Sequence, residues 1–476
     1  MPSVKSTTNK RINLLEDISS HKWIFRFSLS IILTALCLPV LAQDNSPYTR
    51  YGLGDLVPST NVPSRSMGGI AAGYNDILSI NFANPASYGS FQGIKEQTTK
   101  KMAYGRAILD IGLNIESRTL SEPNRIGKFT ASNALFSHVQ VGVPLRPNWG
   151  LSFGLRPISR ISYKIASHER LVDPNTNLPI DTAITTNQGD GGAYLASIGT
   201  GWRIPLGKAS SFSFGVNGGY LFGKKDYSTR RTIYNDSLNY NSGNFQTKTS
   251  YGNLFANAGL QYQTKLKEGL YLTAGVYGNW KQTLNASQDI IRETYYFDES
   301  TGNVTLDSVS TKNDIKGKIV YPSSYTAGFV IERITTPQKA SWLLGLDFTQ
   351  GNWSEYRFYG QADPTVRNKW ELKAGGQLRP APKTNYFSNV AYRAGFFIGR
   401  DYIQVQNDLP LMGVSLGLGL PVRNYNRLSP GQATVVNLGF EFIKRGNNDN
   451  LLKENLFRLS VGFCLSDYWF VRKKYE

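Results

Sequence analysis

The sequence predicts an all-β fold: a transmembrane antiparallel β-barrel of about 14 strands with an N-terminal hatch in its lumen. Two observations support this prediction. In at least five segments after residue 101, apolar residues alternate with small or polar ones, and the apolar positions carry no charge. In addition, no window after residue 45 supplies the roughly 18 consecutive apolar residues that a membrane helix needs.

The alternation is clearest in residues 211–222, where the even positions are Phe, Phe, Val, Gly, Tyr and Phe. It recurs in 270–280, 412–420, 436–442 and 457–465. A soluble β-sandwich also alternates, but its second face is exposed and charged. Here the second face is mainly Gly, Ser and Asn, and a charge on a lipid-facing wall costs about 2–4 kcal/mol at mid-bilayer. The pattern therefore favours a membrane barrel.

Fourteen predicted strands centre near residues 109, 139, 156, 198, 217, 257, 276, 326, 345, 373, 394, 416, 438 and 461. The predicted connections alternate between long (166–191, 230–248, 286–317, 350–367) and short (144–148, 265–268, 335–339). Short turns of such barrels face the periplasm and long loops face outside. We therefore expect both termini to be periplasmic, with the hatch entering the barrel from that end.

The N-terminus is typical of an export signal, so we predict that residues 1–42 are a signal peptide of an outer-membrane protein. Lys22 and Arg26 precede the apolar run 27–41, and Ala42 allows cleavage near Gln43. The remaining chain divides into a lead-in and hatch (43–100) and a barrel (101–476). It keeps one cysteine, Cys464, which excludes an internal disulfide. The full sequence has a net charge of +18, and residues 1–42 carry five basic and two acidic side chains, so the exported chain would carry about +15. Such a chain is expected to meet outer-membrane lipids and lipopolysaccharide, and no nucleic acid, with an ordinary solvated surface as the alternative explanation of its charge.

The predicted hatch, residues 67–88, is rich in Gly, Ala, Asn and Ser and has too few large apolar residues for a core of its own. Such a segment stays ordered only if the barrel encloses it. Within it, Gly68 and Gly69 would supply backbone freedom, and Asn84, Pro85 and Ala86 a rigid turn.

These residues make the chain resemble the FadL/TodX family of outer-membrane transporters, whereas its lead-in is more similar to that of Bacteroidota barrel proteins. Further matching stretches are Tyr321–Gly328, Leu344–Phe348, Trp353–Ser354 and Arg393–Gly395. The resemblance implies passive uptake of a hydrophobic small molecule, such as a long-chain fatty acid, gated by hatch movement. It also implies a kinked third strand that opens the wall sideways, and Pro157 lies inside the predicted third strand. An ordinary bulge or strand end is the alternative for Pro157.

Two departures from that family concern the ends of the chain. The lead-in contains Arg50–Asp55, and the chain ends on Arg472–Glu476 instead of a terminal aromatic residue. The alternative function is therefore a non-transporting outer-membrane barrel that scaffolds or binds another envelope or secretion component.

Charged residues at lumen-facing positions could bond the hatch or a ligand carboxylate, with pairing across the barrel interior as the alternative. They are Arg106, Asp110, Arg156, Arg160 and Arg393, with Glu116 beside them.

We expect neither catalysis nor a cofactor or metal. Ser415 lies in a G-x-S-x-G match, but that motif needs a strand-turn-helix, and these residues continue an alternating strand. His138 is predicted to face the lumen and His168 to lie in an outer loop, too far apart for a metal site.

Overall fold

The computed structural model describes residues 46–95, 102–123, 126–234, 240–298, 302–334, 339–422 and 431–469. The chain divides into two units, Met1–Ala42 and Gln43–Glu476, and every described residue belongs to the second. The predicted signal peptide and the chain end Arg472–Glu476 lie outside the described residues. Among the residues that are described, no helix is both long and apolar enough to cross a membrane.

Fourteen antiparallel strands form a closed barrel, which confirms the predicted fold class and strand number. Each strand pairs with the next along the chain, and the last pairs with the first, from Lys453 opposite Ser121 to Trp469 opposite Gly105. The strands are β1 Met102–Ser121, β2 Lys128–Arg146, β3 Trp149–Val172, β4 Pro179–Leu206, β5 Ser210–Tyr234, β6 Ser242–Lys267, β7 Leu270–Asn279 with Gln282–Asp298, β8 Gly302–Tyr321 with Ser324–Arg333, β9 Ser341–Gly351, β10 Lys369–Arg379, β11 Ala391–Val405, β12 Asn407–Val422, β13 Ala433–Arg445 and β14 Lys453–Trp469.

The remaining elements are short. They are the helical turn Val62–Arg65, the 3-10 turns Pro47–Arg50, Pro85–Ser90, Trp353–Glu355 and Tyr386–Asn389, and the two- or three-residue strands Asp55–Leu56, Gly93–Lys95, Arg357–Phe358 and Gln361–Ala362.

The alternation along each strand separates a lipid-facing surface from the lumen. In β12, Val414 and Leu416 are 57% and 61% exposed on the outside, whereas Ser415 between them is 2% exposed. Because successive side chains of a strand point to opposite faces, the glycine- and serine-rich positions all line the interior. There they leave room for a chain segment inside the barrel.

Strands β3 to β8 continue far beyond a membrane. β4 has 28 residues and at about 3.3 Å per residue spans roughly 90 Å, whereas a membrane strand needs about 9–11 residues. The prediction that residues 166–191, 230–248 and 286–317 form long loops is therefore largely wrong, since most of their described residues are in paired strands. Outside the membrane neither face must be apolar, so the sequence pattern that identified the strands disappears there.

One seam interrupts the wall. β2 and β3 pair only from Val139 opposite Leu155 to Arg146 opposite Trp149. Beyond these, residues 128–138 of β2 and 156–172 of β3 have no mutual pairing among the described residues. A bulge in the β3–β4 ladder lies between Pro157 and Ser159. Pro157 is therefore located where this seam begins.

The lead-in segment Ser46–Val57, which we call the strap, runs along β3 at the seam. Asp55 pairs with Arg160 and Leu56 with Ser159. Ser46 hydrogen-bonds Glu454 at the start of β14, whereas Met102 and Trp469 lie at the opposite end of the barrel. The described chain thus begins inside the barrel near its long-hairpin end, which differs from our prediction that the hatch enters from the short-turn end. The periplasmic position of both termini stays a prediction.

Candidate functional site

Residues 58–91, a segment wider than the predicted 67–88 and called the hatch below, lie inside the barrel and share two apolar clusters with the wall. In the first, Met67, Ile70 and Tyr74 pack with Val330 and Leu343. The second contains Ile80, Phe82, Tyr88, Phe91 and Ile108. These side chains are almost fully buried. A segment too poor in apolar residues to fold alone thus obtains a core from the barrel.

Polar groups of the wall accept the hatch backbone N–H groups. Asp347 Oδ2, on β9, accepts the N–H of Ala71 at 2.7 Å and that of Ala72 at 2.8 Å. Ser415 Oγ, on β12, accepts the N–H of Gly68 at 2.9 Å. Since buried N–H groups need partners, these side chains fix the position of the hatch.

Gly68 and Gly69 both have left-handed backbone conformations, with φ of 69° and 87°. A Cβ on Gly68 would lie 2.6 Å from the carbonyl oxygen of Phe396, whereas one on Gly69 would meet nothing closer than Lys373 Cδ at 3.6 Å. Glycine at position 68 is therefore required for the hatch to approach the wall. A hinge role in gating remains a prediction.

Asn84 caps the 3-10 turn that begins at Pro85. Its side-chain oxygen accepts the N–H of Ala86 at 3.1 Å, and its Nδ2 donates to the carbonyl of Ala72 at 2.7 Å. Pro85 occupies the first position of the turn, where a missing N–H has no cost. The three residues therefore connect two parts of the hatch in one rigid turn.

Asp110 is the centre of a buried polar cluster beneath the hatch. It accepts the N–H of Ile80 at 3.0 Å, contacts His138 Nε2 at 3.1 Å, and accepts from the Cys464 thiol at 3.4 Å. His138 Nδ1 lies 3.1 Å from Ser137 Oγ. A bulge between Gly112 and Leu113 turns both neighbouring residues, Ser137 and His138, inward. His138 thus faces the lumen as predicted.

Arg65 anchors the helical turn of the hatch. Its Nη1 donates to Asn114 Oδ1 at 2.6 Å and Ser460 Oγ at 3.1 Å, and its Nη2 donates to Ser137 Oγ and the Thr60 carbonyl, both at 3.0 Å. Burial lowers the pKa of Arg65 to about 10.

An ion network joins the strap to the wall. Asp55 contacts Arg118 of β1 at 2.7 Å and Arg445 of β13 at 2.8 Å. Glu454 contacts the same two arginines at 2.7 and 3.2 Å, and Asp401 contacts Arg445 at 2.6 Å. Burial alone would raise the pKa of Asp55, but the two guanidinium groups outweigh it and lower the pKa to about 2.

A cavity of about 600 Å³ separates the strap from the hatch. Arg156 and Arg160 line it on the seam side. Arg156 lies 5.5 Å from the centre of the Phe82 ring, and Arg160 Nη2 donates to Asn133 at 3.2 Å. On the opposite side, Glu371 is bonded to Lys369 and Lys373. The lining therefore combines charged groups with apolar and aromatic ones, such as Phe255 and Trp353.

The remaining three predicted lumen charges are all bonded to other residues. Arg106 donates to Gln92, Ser466 and the carbonyl of Gly431. Arg393 donates to Gln377 and Asn437, and Glu116 accepts from Arg458 at 2.6 Å. Arg106 and Arg393 do not line the cavity, whereas Glu116 does.

Sequence reasoning missed the residues that hold the strap and the hatch in place. These are Asp55, Arg65, Arg118, Asp347, Arg445 and Glu454. The available signal was a charge at an inward position of an alternating strand, as for Asp347 between Leu346 and Phe348. The partners of such a charge come from distant segments and leave no local pattern. Among the described residues, no group of three or more His, Cys, Asp and Glu side chains could hold a metal ion.

A family model described as BamG matches residues 24–476. The chain belongs to the BamG family. This BamG-family chain is also similar in fold to solved outer-membrane channels, at low sequence identity. No curated protein matches it by sequence.

Three solved structures illustrate the likeness. The toluene transporter TodX of Pseudomonas putida is 12% identical, with 88% of this chain and 100% of that chain covered and a TM-score of 0.48. A FadL homologue of Pseudomonas aeruginosa is 13% identical, with 89% and 100% covered and a TM-score of 0.48. The monoaromatic hydrocarbon channel CymD is 12% identical, with 87% and 98% covered and a TM-score of 0.45.

Proposed function

We propose that this BamG-family protein is an outer-membrane barrel that keeps its hatch closed and acts as a binding or scaffold component of the envelope. The supporting observation is how firmly the hatch is held. Asp347, Asp110 and Ser415 accept its backbone N–H groups, and Arg65 donates to groups of three wall strands. Removing one partner from each buried contact costs about 1–3 kcal/mol, so hatch movement requires breaking many contacts together.

The cavity has a mixed lining. Charged residues such as Arg156, Arg160 and Glu371 line it together with aromatic residues such as Phe255 and Trp353. Sites for purely apolar small molecules are mostly lined by hydrophobic and aromatic groups, so this lining fits a ligand or partner segment that has both polar and apolar parts. The outer wall, by contrast, is apolar, and we propose that it contacts outer-membrane lipids and lipopolysaccharide. No catalytic step is part of this proposal.

A second candidate function is passive uptake of a hydrophobic small molecule, such as a long-chain fatty acid, through the barrel. The observation that favours it is the seam between β2 and β3, because the cavity is lined by residues of both strands at this seam, including Phe136 and Pro157. In this reading the bulge at Pro157 opens the wall, and Arg156 or Arg160 would meet the ligand carboxylate.

Locking the hatch distinguishes the two candidates. A Cβ on Gly462 would lie 3.1 Å from the Cβ of Val62, slightly less than the separation in a disulfide. The variant Val62→Cys/Gly462→Cys, with Cys464→Ser, should therefore form a bond between hatch and wall. The scaffold proposal predicts that the oxidised variant corrects the envelope defect of a deletion strain. It should do so as well as the two controls that carry only Val62→Cys or only Gly462→Cys.

Uptake of labelled fatty acid is measured in the same strains. If oxidation abolishes both uptake and complementation, and reduction restores both, the hatch must move and the transport candidate replaces the scaffold proposal.

A further inference from the structure

The strap occupies a strand edge that the barrel wall leaves open. Besides the pairs at Asp55 and Leu56, the N–H of Val57 donates to the carbonyl of Ile158 at 3.0 Å, and that of Ser46 to the carbonyl of Ser162 at 3.2 Å. β2 does not provide these partners, since its ladder with β3 ends at Val139. Unpaired strand edges are templates for another extended chain.

We propose that this β3 edge is a docking site for an extended polypeptide segment that carries a carboxylate, and that the strap is its internal substitute. The inference rests on the proposed binding role of the barrel and identifies the class of partner. A polypeptide fits better than a lipid because the edge presents backbone N–H and C=O groups. Another backbone satisfies both by strand addition, whereas an acyl chain satisfies neither.

The charge requirement comes from the two wall arginines. Arg118 and Arg445 are 5% and 6% exposed and converge on the Asp55 carboxylate, which is the strap's own contribution to the network. Glu454 and Asp401 also pair with these arginines, so a segment without a carboxylate would leave both guanidinium groups paired but would lose the two contacts that Asp55 makes. Breaking contacts within a buried ion network is costly, so an acidic residue at this position is favoured over a neutral one.

The residues before Asp55 define the rest of the recognised pattern. Gly54 has φ of 89°, and a Cβ there would lie 2.3 Å from the carbonyl oxygen of Arg160, so only glycine fits. Leu53 is fully buried against the wall core. An incoming segment is therefore expected to present an apolar residue, a glycine and an acidic residue in succession.

The strap and the hatch are held by different contacts. Those of the strap include Asp55, Ser46 and the carbonyl of Gly52, which accepts from Lys225 Nζ at 2.7 Å. The anchors of the hatch, Arg65 and the groups bound by Asp347, are separate. Ser46 also lies at the long-hairpin end of the barrel, so the strap is displaced from that end.

The test uses a fluorescent peptide with the sequence of residues 46–57 and the purified full-length protein in detergent. In the Asp55→Asn protein the internal strap is weakened while the wall arginines are unchanged. We expect the peptide to bind this variant at least ten-fold more tightly than it binds the wild type. The matched control is Asp314→Asn, which removes an exposed carboxylate elsewhere, and it should behave as the wild type.

A second peptide, in which the residue equivalent to Asp55 is Asn, should bind the Asp55→Asn protein no more tightly than it binds the wild type. A photoreactive form of the first peptide should label residues 156–162. Equal binding of both peptides, or equal binding to all three proteins that migrate as folded barrels, overturns the inference.

The result is separable from that of the hatch lock. If the peptide does not bind but the locked hatch still complements, the scaffold proposal stands without this docking site. If the peptide binds but the locked hatch fails to complement, the edge is a docking site on a barrel that transports.

Discussion

Asp347 of β9 accepts the backbone N–H of Ala71 at 2.7 Å. It is a charged residue in a membrane strand whose neighbours Leu346 and Phe348 face lipid, and its side chain points the other way, into the hatch. The same oxygen accepts the N–H of Ala72. One wall carboxylate thus fixes two consecutive residues of the hatch, which makes it the most direct point at which to loosen the closed state.

Replacing Asp347 by Ala leaves both N–H groups buried without an acceptor, at a cost of about 1–3 kcal/mol each. We expect amide hydrogen exchange in residues 67–74 to accelerate while the barrel strands stay protected. The control is Thr349→Val on the same strand, since Thr349 bonds Thr326 and not the hatch. Equal exchange in the two variants would show that Asp347 does not hold the hatch.

Arg65→Lys tests the anchor of the helical turn. The planar guanidinium donates to four oxygens, whereas an ammonium group has three donors at a single point. We expect a loss of about 1–3 kcal/mol in hatch stability, seen as faster proteolysis within residues 58–91. The exposed Arg50→Lys should change it by less than about 0.5 kcal/mol. A similar effect of both would contradict the anchoring role.

Gly68 and Gly69 provide a matched pair of sites for substitution by alanine. Both have positive φ, so alanine at either position costs about 1 kcal/mol or more in backbone strain. Only at Gly68 does the added methyl also meet wall backbone, at 2.6 Å. Gly68→Ala should therefore displace the hatch and expose the thiol of Cys464 to a small alkylating reagent, whereas Gly69→Ala should protect it nearly as well as the wild type. Equal labelling would mean that the close approach at Gly68 is unimportant.

The strap should remain bound under moderately acidic conditions. The pKa of Asp55 is lowered to about 2 from an ordinary 3.8. A lowered carboxyl pKa adds stability that is fully present above the unfolded value and disappears as the pH falls through the folded value. The difference in strap protection between wild type and Asp55→Asn should thus be constant from pH 8 to pH 5. A difference that declines within that interval, measured by hydrogen exchange, would contradict the ion network around Asp55.

Much of the fold was predictable because its signal is local. The alternation in Met412–Leu420 or Phe457–Leu465 identifies a strand and both its faces, since a membrane wall admits no charge on the lipid side. Beyond the membrane this constraint ends, so the sequence pattern does not distinguish the extended hairpins of β3 to β8 from loops. The same alternation predicts that His138 and Ser415 face the lumen.

The sequence by itself determined the all-β class, the fourteen strands, the inward positions and a segment that needs enclosure, because each depends on a pattern within a few neighbouring residues. Only the tertiary structure decided that the described chain begins inside the barrel near its long-hairpin end, that the wall has a seam beside Pro157, and that Asp55 meets Arg118 and Arg445. The physical reason is that a buried charge is stabilised by whichever opposite charges the closed barrel brings near it. Those partners lie up to several hundred residues away, where no spacing rule relates them.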